Sequence, residues 1–250
     1  MALEIKWFDT IDSTNYEAFR QIENAKDFTT YAAKFQTSGR GQKGTRWESA
    51  AGKNLTFSIL IRPIHLKAKD QFLVSQIVAL GIVRYLGVLG LKAKIKWPND
   101  IYVGDRKICG ILIEHYLSGA NLSVSIIGIG LNLNQREFAS DAPNPTSLLL
   151  ETGEEHLPEN ELNEILFSIK KYYDQLNVKT YKAFKDVTEQ SYVESLYRLG
   201  EFALYQEADT DDIFEARIIG TDNSACLVLE KRDKTKKSYA FKEIRYLLDH

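Results

Sequence analysis

Histidine and cysteine are both scarce in this 250-residue sequence, four of one and two of the other. His65, His115, His156 and His250 lie far apart and show none of the spacings that bring zinc ligands together, which argues against a metal centre. Cys109 and Cys226 are also distant from each other and sit in apolar, strand-like surroundings. Reduced thiols in a cytoplasmic protein fit this better than a disulfide framework. Long apolar runs are missing too. No segment approaches the ~18 apolar residues of a spanning helix, and Glu4, Lys6, Asp9 and Asp12 interrupt anything like a secretory signal near Met1. Neither sign of charge dominates: 32 basic against 34 acidic residues leave a net charge of −2, which gives no electrostatic case for DNA or a membrane surface. No Gly-x-Ser-x-Gly elbow is present, nor a cysteine with a histidine close by in sequence, so the usual signatures of an acyl-enzyme are absent. Internal repeats and low-complexity tracts are lacking as well. What remains is a chain of ordinary globular composition, 44% hydrophobic and 26% charged, long enough for one large domain or a large and a small one.

Hydrophobic periodicity divides the sequence in two. Ile5 to Phe8 reads as a short strand. Thr14 and Glu17 have capping-box spacing, so a helix is expected from about Asn15 to Glu23. Further strands are expected over Tyr31–Phe35 and Leu55–Ile61, the latter alternating strictly. Asp70–Leu89 repeats Leu73, Ile77, Leu80, Val83 and Leu86 at helical steps, with Val74, Val78 and Ile82 on its other face, and this predicts a central helix. Short strands follow at Ile95–Trp97, Ile101–Val103, Lys107–His115 and Leu122–Leu133, joined by Gly104-Asp105 and Ser118–Asn121 turns. Hairpins of this kind predict an α/β fold of α+β character: a mixed, largely antiparallel sheet with packed helices. Pro143-Asn144-Pro145 reads as a loop. Helices are expected at Ser147–Leu150, Glu159–Leu176 and Tyr181–Glu194. From Gly200 the pattern changes to strands at Phe202–Tyr205, Ile213–Ile219, Ala225–Lys231 and Lys237–Phe241, a small β-barrel or sandwich. The boundary is set near Tyr197, giving domains 1–196 and 197–250. The basic tip Lys231–Lys237 reads as a solvated hairpin end.

Four stretches carry candidate chemistry. The segment Gln36 to Trp47 holds three glycines within six residues, interleaved with Arg40, Lys43 and Arg46. Such a loop can present backbone N–H groups and cations to an anion, although a solvated hairpin loop has the same composition. Lys96-Trp97-Pro98-Asn99-Asp100 leaves a lysine at a strand end and a carboxylate beyond it; an exposed turn is the alternative. Arg106 to Glu114 is a strand led by two cations. Ile127 to Asn134 places Gly128 and Gly130 within a strand, where a ligand or another backbone can come close, and Asn132 and Asn134 on one face. The last is not a dinucleotide fingerprint, because no helix follows it.

Together with Asp12-Ser13-Thr14-Asn15, these stretches resemble the catalytic core of biotin–protein ligases over about residues 5–135. The resemblance extends more weakly to the C-terminal strands, where that family carries a small SH3-like barrel. It implies formation of biotinyl-5′-AMP from biotin and ATP with Mg2+, then transfer to a lysine of a biotin carboxyl carrier protein or domain, as in acetyl-CoA carboxylase. It further implies biotin contacts from Ser13, Thr14, Asn15, Gln36, Gly39, Arg40, Gly41 and Lys96. On the nucleotide side it implies Arg40, Gln42, Arg46, Trp47, Lys96, Asn99, Lys107 and Asn132, with Lys96, Arg40 and Asp100 in catalysis and Asp100 as a possible base or orienting group. Many relatives have arginine where this sequence has Gln42, so retention of the adenylate would rest on Arg40, Lys43 or Arg46. A lipoate–protein ligase or octanoyltransferase of the same fold is the nearest alternative. A biotin-sensing repressor would need a preceding helix-turn-helix, for which the core's start within about five residues of Met1 leaves no room; an inactive binding module is a further alternative. Dimerisation through a strand edge fits the expected sheet.

Overall fold

In a computed structural model the described residues are 3–42, 45–138, 144–176 and 180–247. Lys43, Gly44 and Pro143 therefore lie outside them. The larger unit is a seven-stranded sheet built from β1 (Ile5–Ile11), β2 (Thr29–Gln36), β3 (Leu55–Ile61), β4 (Ala93–Lys96), β5 (Asp100–Val103), β6 (Arg106–Ser118) and β7 (Asn121–Leu131). Its spatial order is β1-β2-β3-β7-β6-β5-β4. Only β1 and β2 pair in parallel; every other neighbour is antiparallel. The parallel pair follows from its connection, since α1 (Thr14–Arg20) carries the chain back between the two strands.

Helices cover both faces. Helix α1 packs against β2, β3 and β7. On the opposite side α2 (Phe72–Val88) lies against β4 and β5 and is itself covered by α4 (Pro158–Tyr173) and α5 (Tyr181–Glu194). That position explains why α2 is apolar nearly all round: Leu73, Val74, Ile77, Val78, Ile82 and Leu86 are all buried. The contact with α4 is close enough that a Cβ on Gly81 would sit 2.7 Å from Ile169. The sequence expectation about long apolar segments needs correction here. Ala68–Val88, 21 residues whose most apolar stretch of 18 has mean hydropathy 1.5, is long and apolar enough to cross a membrane by length and composition. Counting uninterrupted apolar residues missed it, because Ser75, Gln76 and Arg84 break the run without lowering the average much. In the fold 61% of its most apolar window is buried within the protein, as suits a core helix.

After the short helix α3 (Leu148–Thr152), α4 and α5, the chain forms a second, antiparallel sheet. It contains β8 (Phe202–Glu207), β9 (Ile213–Thr221), β10 (Leu227–Lys231), β11 (Lys236–Tyr239) and β12 (Ile244–Tyr246), in the order β11-β10-β9-β8-β12. This five-stranded arrangement fits the expected SH3-like unit. Strand β12 went unread in sequence because three residues are too few to show alternation. The basic tip joins β10 to β11 and is solvated, with Arg232, Lys234, Lys236 and Lys237 all reaching carboxylates of neighbouring strands. The two sheets are tied together near the strand end of β4. Trp97 is buried and its indole N–H donates to the Ala225 carbonyl at 3.0 Å, while Ile95 bridges to Leu196.

Helix α1 departs from its expected form. It begins at Thr14, one residue early, and ends at Arg20. Ser13 is its N-cap, in extended backbone, and no side chain caps it. The capping box does not form because both of its members are engaged elsewhere: Thr14 with Gln36, and Glu17 with Arg20.

Candidate active site

A cavity of about 900 Å³ opens where the glycine loop, the start of α1, the β4–β5 turn and β12 converge. Every residue that the resemblance assigns to biotin, nucleotide or catalysis lines it, except Gly39, while Lys43 lies outside the described residues. Gly39 has a structural task instead. A Cβ there would lie 2.5 Å from the Trp47 carbonyl oxygen, whose own N–H bonds back to Gly39, so the glycine lets the two arms of the loop close. Arg40 and Arg46 pair across those arms, and Gln42 uses its carbonyl to accept from Thr45.

One end of the cavity is a connected network of hydroxyls and amides. The Thr14 N–H donates to Gln36 Oε1 at 2.8 Å, and the Thr14 hydroxyl lies 3.1 Å from the same oxygen. Ser58, fully buried on β3, places its hydroxyl 2.7 Å from Thr14 Oγ1 and 2.6 Å from Asn15 Oδ1. Asn15 donates through Nδ2 to Glu114 at 2.8 Å, and Glu114 in turn accepts from Arg40 at 3.0 Å. The Arg40 guanidinium lies 4.6 Å from the centre of the Tyr16 ring. Ser13 is buried beside this network, while Asp12 points outward to Arg20, whose guanidinium holds the Asp12 carboxyl down at about 2.

Sequence reasoning did not mark Ser58, and it gave Glu114, the end of a candidate stretch, no role; both back the residues that line the cavity. Both had a readable signal. Ser58 lies on the polar face of an alternating strand, and Glu114 ends the apolar run Ile108–Ile113 with a lone carboxylate. The glycines of β7 line the cavity and also make room for side chains. A Cβ on Gly128 would meet Asn15 Oδ1 at 2.3 Å, and one on Gly130 would meet the Trp47 ring at 2.2 Å. Gly110 on β6 faces the same ring, at 2.8 Å. These glycines therefore admit protein side chains rather than a second backbone, and they set how deep Asn15 and Trp47 can sit.

The other end of the cavity is charged. Lys107 pairs with Asp100 at 2.8 Å and its ammonium lies 5.6 Å from the Trp47 ring centre. Asp100 is therefore engaged by a cation, which suits it to orient Lys107 better than to accept a proton. Lys96 makes no ion pair among the described residues; it sits between the rings of Tyr102 and Tyr246, 5.2 and 4.8 Å from their centres. Burial pushes its pKa below the usual lysine range, Asp100 opposes that shift, and Lys107 and Arg198 add to it. The bland reading of Lys96 as an exposed strand end does not hold.

Asn99 braces the wall, exchanging hydrogen bonds with the backbone of Ile111 at 2.8 and 2.9 Å. Asn132 lines the cavity while donating to the Thr146 carbonyl at 2.8 Å. Asn134, expected on the same face, is instead tied to the His156 backbone at 2.7 and 2.9 Å. The C-terminal sheet supplies Phe241, Arg245 and Tyr246 to the lining. No local pattern marks these three in the sequence; only the docking of the second sheet brings them in. Among the described residues no group of three or more His, Cys, Asp or Glu side chains is placed to hold a metal ion.

Comparison with known proteins agrees with this geometry. A family model described as Biotin/lipoate A/B protein ligase family matches residues 7–132. A biotin–[acetyl-CoA-carboxylase] ligase of Paracoccus denitrificans is 30% identical over 227 residues, covering 87% of this chain and 90% of that protein. The bifunctional ligase/repressor BirA of Bacillus spizizenii is 29% identical over 248 residues, covering 96% of this chain and 73% of the relative. Among solved structures, biotin protein ligase from Aquifex aeolicus in complex with biotin and ATP has a TM-score of 0.77 at 24% identity, over 98% of this chain and 99% of that one. The fold is thus shared over nearly the whole chain, and the family match spans the glycine loop, the Lys96–Asp100 segment and Gly128–Asn132. On these grounds the chain belongs to the biotin/lipoate A/B protein ligase family.

Proposed function

We propose that this protein is an ATP-dependent biotin–protein ligase acting on a biotin carboxyl carrier domain such as that of acetyl-CoA carboxylase. The observation that carries the reading is one cavity with a hydrogen-bonding end, lined by Thr14, Asn15 and Gln36 and backed by Ser58 and the Arg40–Glu114 pair, and a cationic end, built on Lys96 and Lys107. Biotin has a matching polarity: a neutral ureido ring at one end and a carboxylate at the other. In the first step a biotin carboxylate oxygen attacks the α-phosphorus of ATP and pyrophosphate leaves. Two anions must meet, so fixed positive charge beside the reacting atoms lowers the barrier. Lys96 and Lys107 supply it from rigid strand ends, with Asp100 orienting Lys107. In the second step a carrier lysine, as the free amine, attacks the acyl carbon; AMP leaves and the amine loses a proton.

Arg40, Gly41 and Arg46 belong in this reading to a loop that covers the acyl-adenylate and keeps water from the anhydride. Trp47 and Asn132 border the nucleotide. Magnesium would enter with ATP as part of the substrate and would offset phosphate charge; among the described residues no group of three or more His, Cys, Asp or Glu side chains is placed to hold it. Residues 1–196 form the catalytic domain and 197–250 the small β domain, the latter contributing wall to the nucleotide end. Biotin, ATP and the carrier are the partners in a cytoplasmic reaction that involves neither DNA nor membrane. Self-association would use the β1 edge of the large sheet, since the β4 edge is already bridged by Leu196.

The test is exchange of radiolabelled pyrophosphate into ATP, followed by transfer to a carrier domain, with biotin and lipoate as competing acids. Biotin-dependent exchange and carrier labelling are the expected results. Equal or greater use of lipoate would replace biotin by lipoate as the substrate.

A further inference from the structure

Tyr246 reaches Lys96 from the other sheet. Its ring centre is 4.8 Å from the ammonium, and that of Tyr102, two residues along β5 from Asp100, is 5.2 Å away. Tyr246 is itself fixed from behind. The pairing of β12 with β8 sets it opposite Tyr205, whose ring lies 5.4 Å away, and the Tyr197 ring packs at 6.3 Å. One residue further on, the Leu247 carbonyl accepts from Arg198 at 3.0 Å. The hydroxyls of Tyr102 and Tyr246 are buried without hydrogen-bond partners, so each offers Lys96 a ring and apolar volume rather than a polar contact. The charged groups facing Lys96 are Asp100 from β5, Lys107 from β6 and Arg198 from the segment after α5. The single carboxylate among them is paired with Lys107 at 2.8 Å.

We propose that Tyr246 is a positioning residue for Lys96: its ring closes, with Tyr102, an aromatic box that holds the ammonium on the cavity wall and shields it from water. The box does two opposed things. Its π faces favour the charged ammonium, while exclusion of water disfavours it. An ammonium held this way meets an arriving carboxylate or phosphate with little solvent to displace, so its charge acts at full strength. The small β domain thereby becomes part of the activating machinery for Lys96. This inference rests on the reading above that Lys96 meets substrate anions.

The experiment follows the Lys96 side chain by lysine Cε–Hε NMR through the alkaline range in the full chain, its signal assigned with Lys96→Arg. In the wild type and in Tyr246→Phe, Lys96 is expected to titrate below the other lysines. Tyr246→Ala admits water and is expected to move that titration up toward an ordinary lysine. The same variant should lower kcat/KM for biotin-dependent pyrophosphate exchange by about tenfold, the scale of one desolvated cation–π contact. Pentafluorophenylalanine at position 246 keeps the ring's volume and inverts its quadrupole, so it is expected to move the titration down; it serves also if the alanine variant fails to fold. An unmoved Lys96 signal in the fluorinated protein, or a Phe variant that behaves like the Ala variant, would overturn the proposal. A wild type that shows the low Lys96 titration but no biotin-dependent exchange would refute the ligase reading and leave the box standing.

Discussion

The two ends of the cavity are held together by different physics. At the α1 end, Gln36, Thr14, Ser58, Asn15 and Glu114 satisfy one another through short hydrogen bonds, and most of them are buried. At the β4–β5 end, Lys96 rests against rings and Lys107 against one carboxylate. A polar network whose members already satisfy each other keeps its shape with or without a ligand, and this gives specificity by geometry. A desolvated cation without a carboxylate of its own gains most from an arriving anion, and this gives reactivity. On the proposed function, the contrast would divide selection and activation between separate walls, contributed by different parts of the chain.

The largest effect is expected at the cationic end. Lys96→Ala and Lys107→Ala should each reduce biotin-dependent pyrophosphate exchange by about 10²- to 10³-fold, the scale of losing one electrostatic contact at developing charge. If either variant exchanged at the wild-type rate, the assignment of activation to this wall would collapse for that residue. A smaller effect is expected at the network. Gly128→Ala puts a methyl 2.3 Å from Asn15 Oδ1, which must displace Asn15 from Ser58 and Glu114. Overpacking of this kind costs about 1–3 kcal/mol of stability, readable by denaturant unfolding. Biotin affinity measured by calorimetry should weaken in parallel, while the rate of exchange at saturating biotin stays closer to wild type. A drop in that saturating rate with unchanged affinity would reverse the roles of the two walls.

The smallest and most discriminating effect lies between the walls, in the loop. Arg40 bonds Glu114 and overlies Tyr16, so it connects the loop to the network; the Gln42 carbonyl serves a local turn. Arg40→Ala should speed release of biotinyl-5′-AMP by roughly tenfold, as expected for a charge-assisted contact. Gln42→Ala should change release by less than about twofold, the range of an exposed polar contact. Comparable release from both variants in a single-turnover assay would remove the ranking.

Much of this was legible in the sequence, and the reasons differ from element to element. The sheet and the strand-to-helix alternation follow from local periodicity, which is why Leu55–Ile61 and Tyr181–Glu194 coincide with β3 and α5. The glycine loop and the Lys96–Asp100 segment stood out because unusual residues cluster there in sequence. Thr14 was misread as a cap, since a hydroxyl at a helix start has two possible partners and only the fold brings Gln36 within reach. Ala68–Val88 illustrates the converse: its composition alone permits a membrane span, and its burial under α4 and α5 is a property of the packed state.

By itself, the sequence determined most of the segments that become strands and helices, that a glycine- and arginine-rich loop and a strand-end lysine belong to one motif set, and which family the chain belongs to. These depend on residues near one another, where spacing and chemistry can be read directly. Only the tertiary structure decided that Glu114 joins Asn15 to Arg40, that Trp47 rests on Gly110 and Gly130, and that Tyr246 of the second sheet faces Lys96. Contacts of that kind are made by chain segments that meet through sheet register and domain docking, and no local pattern encodes which distant side chain will arrive.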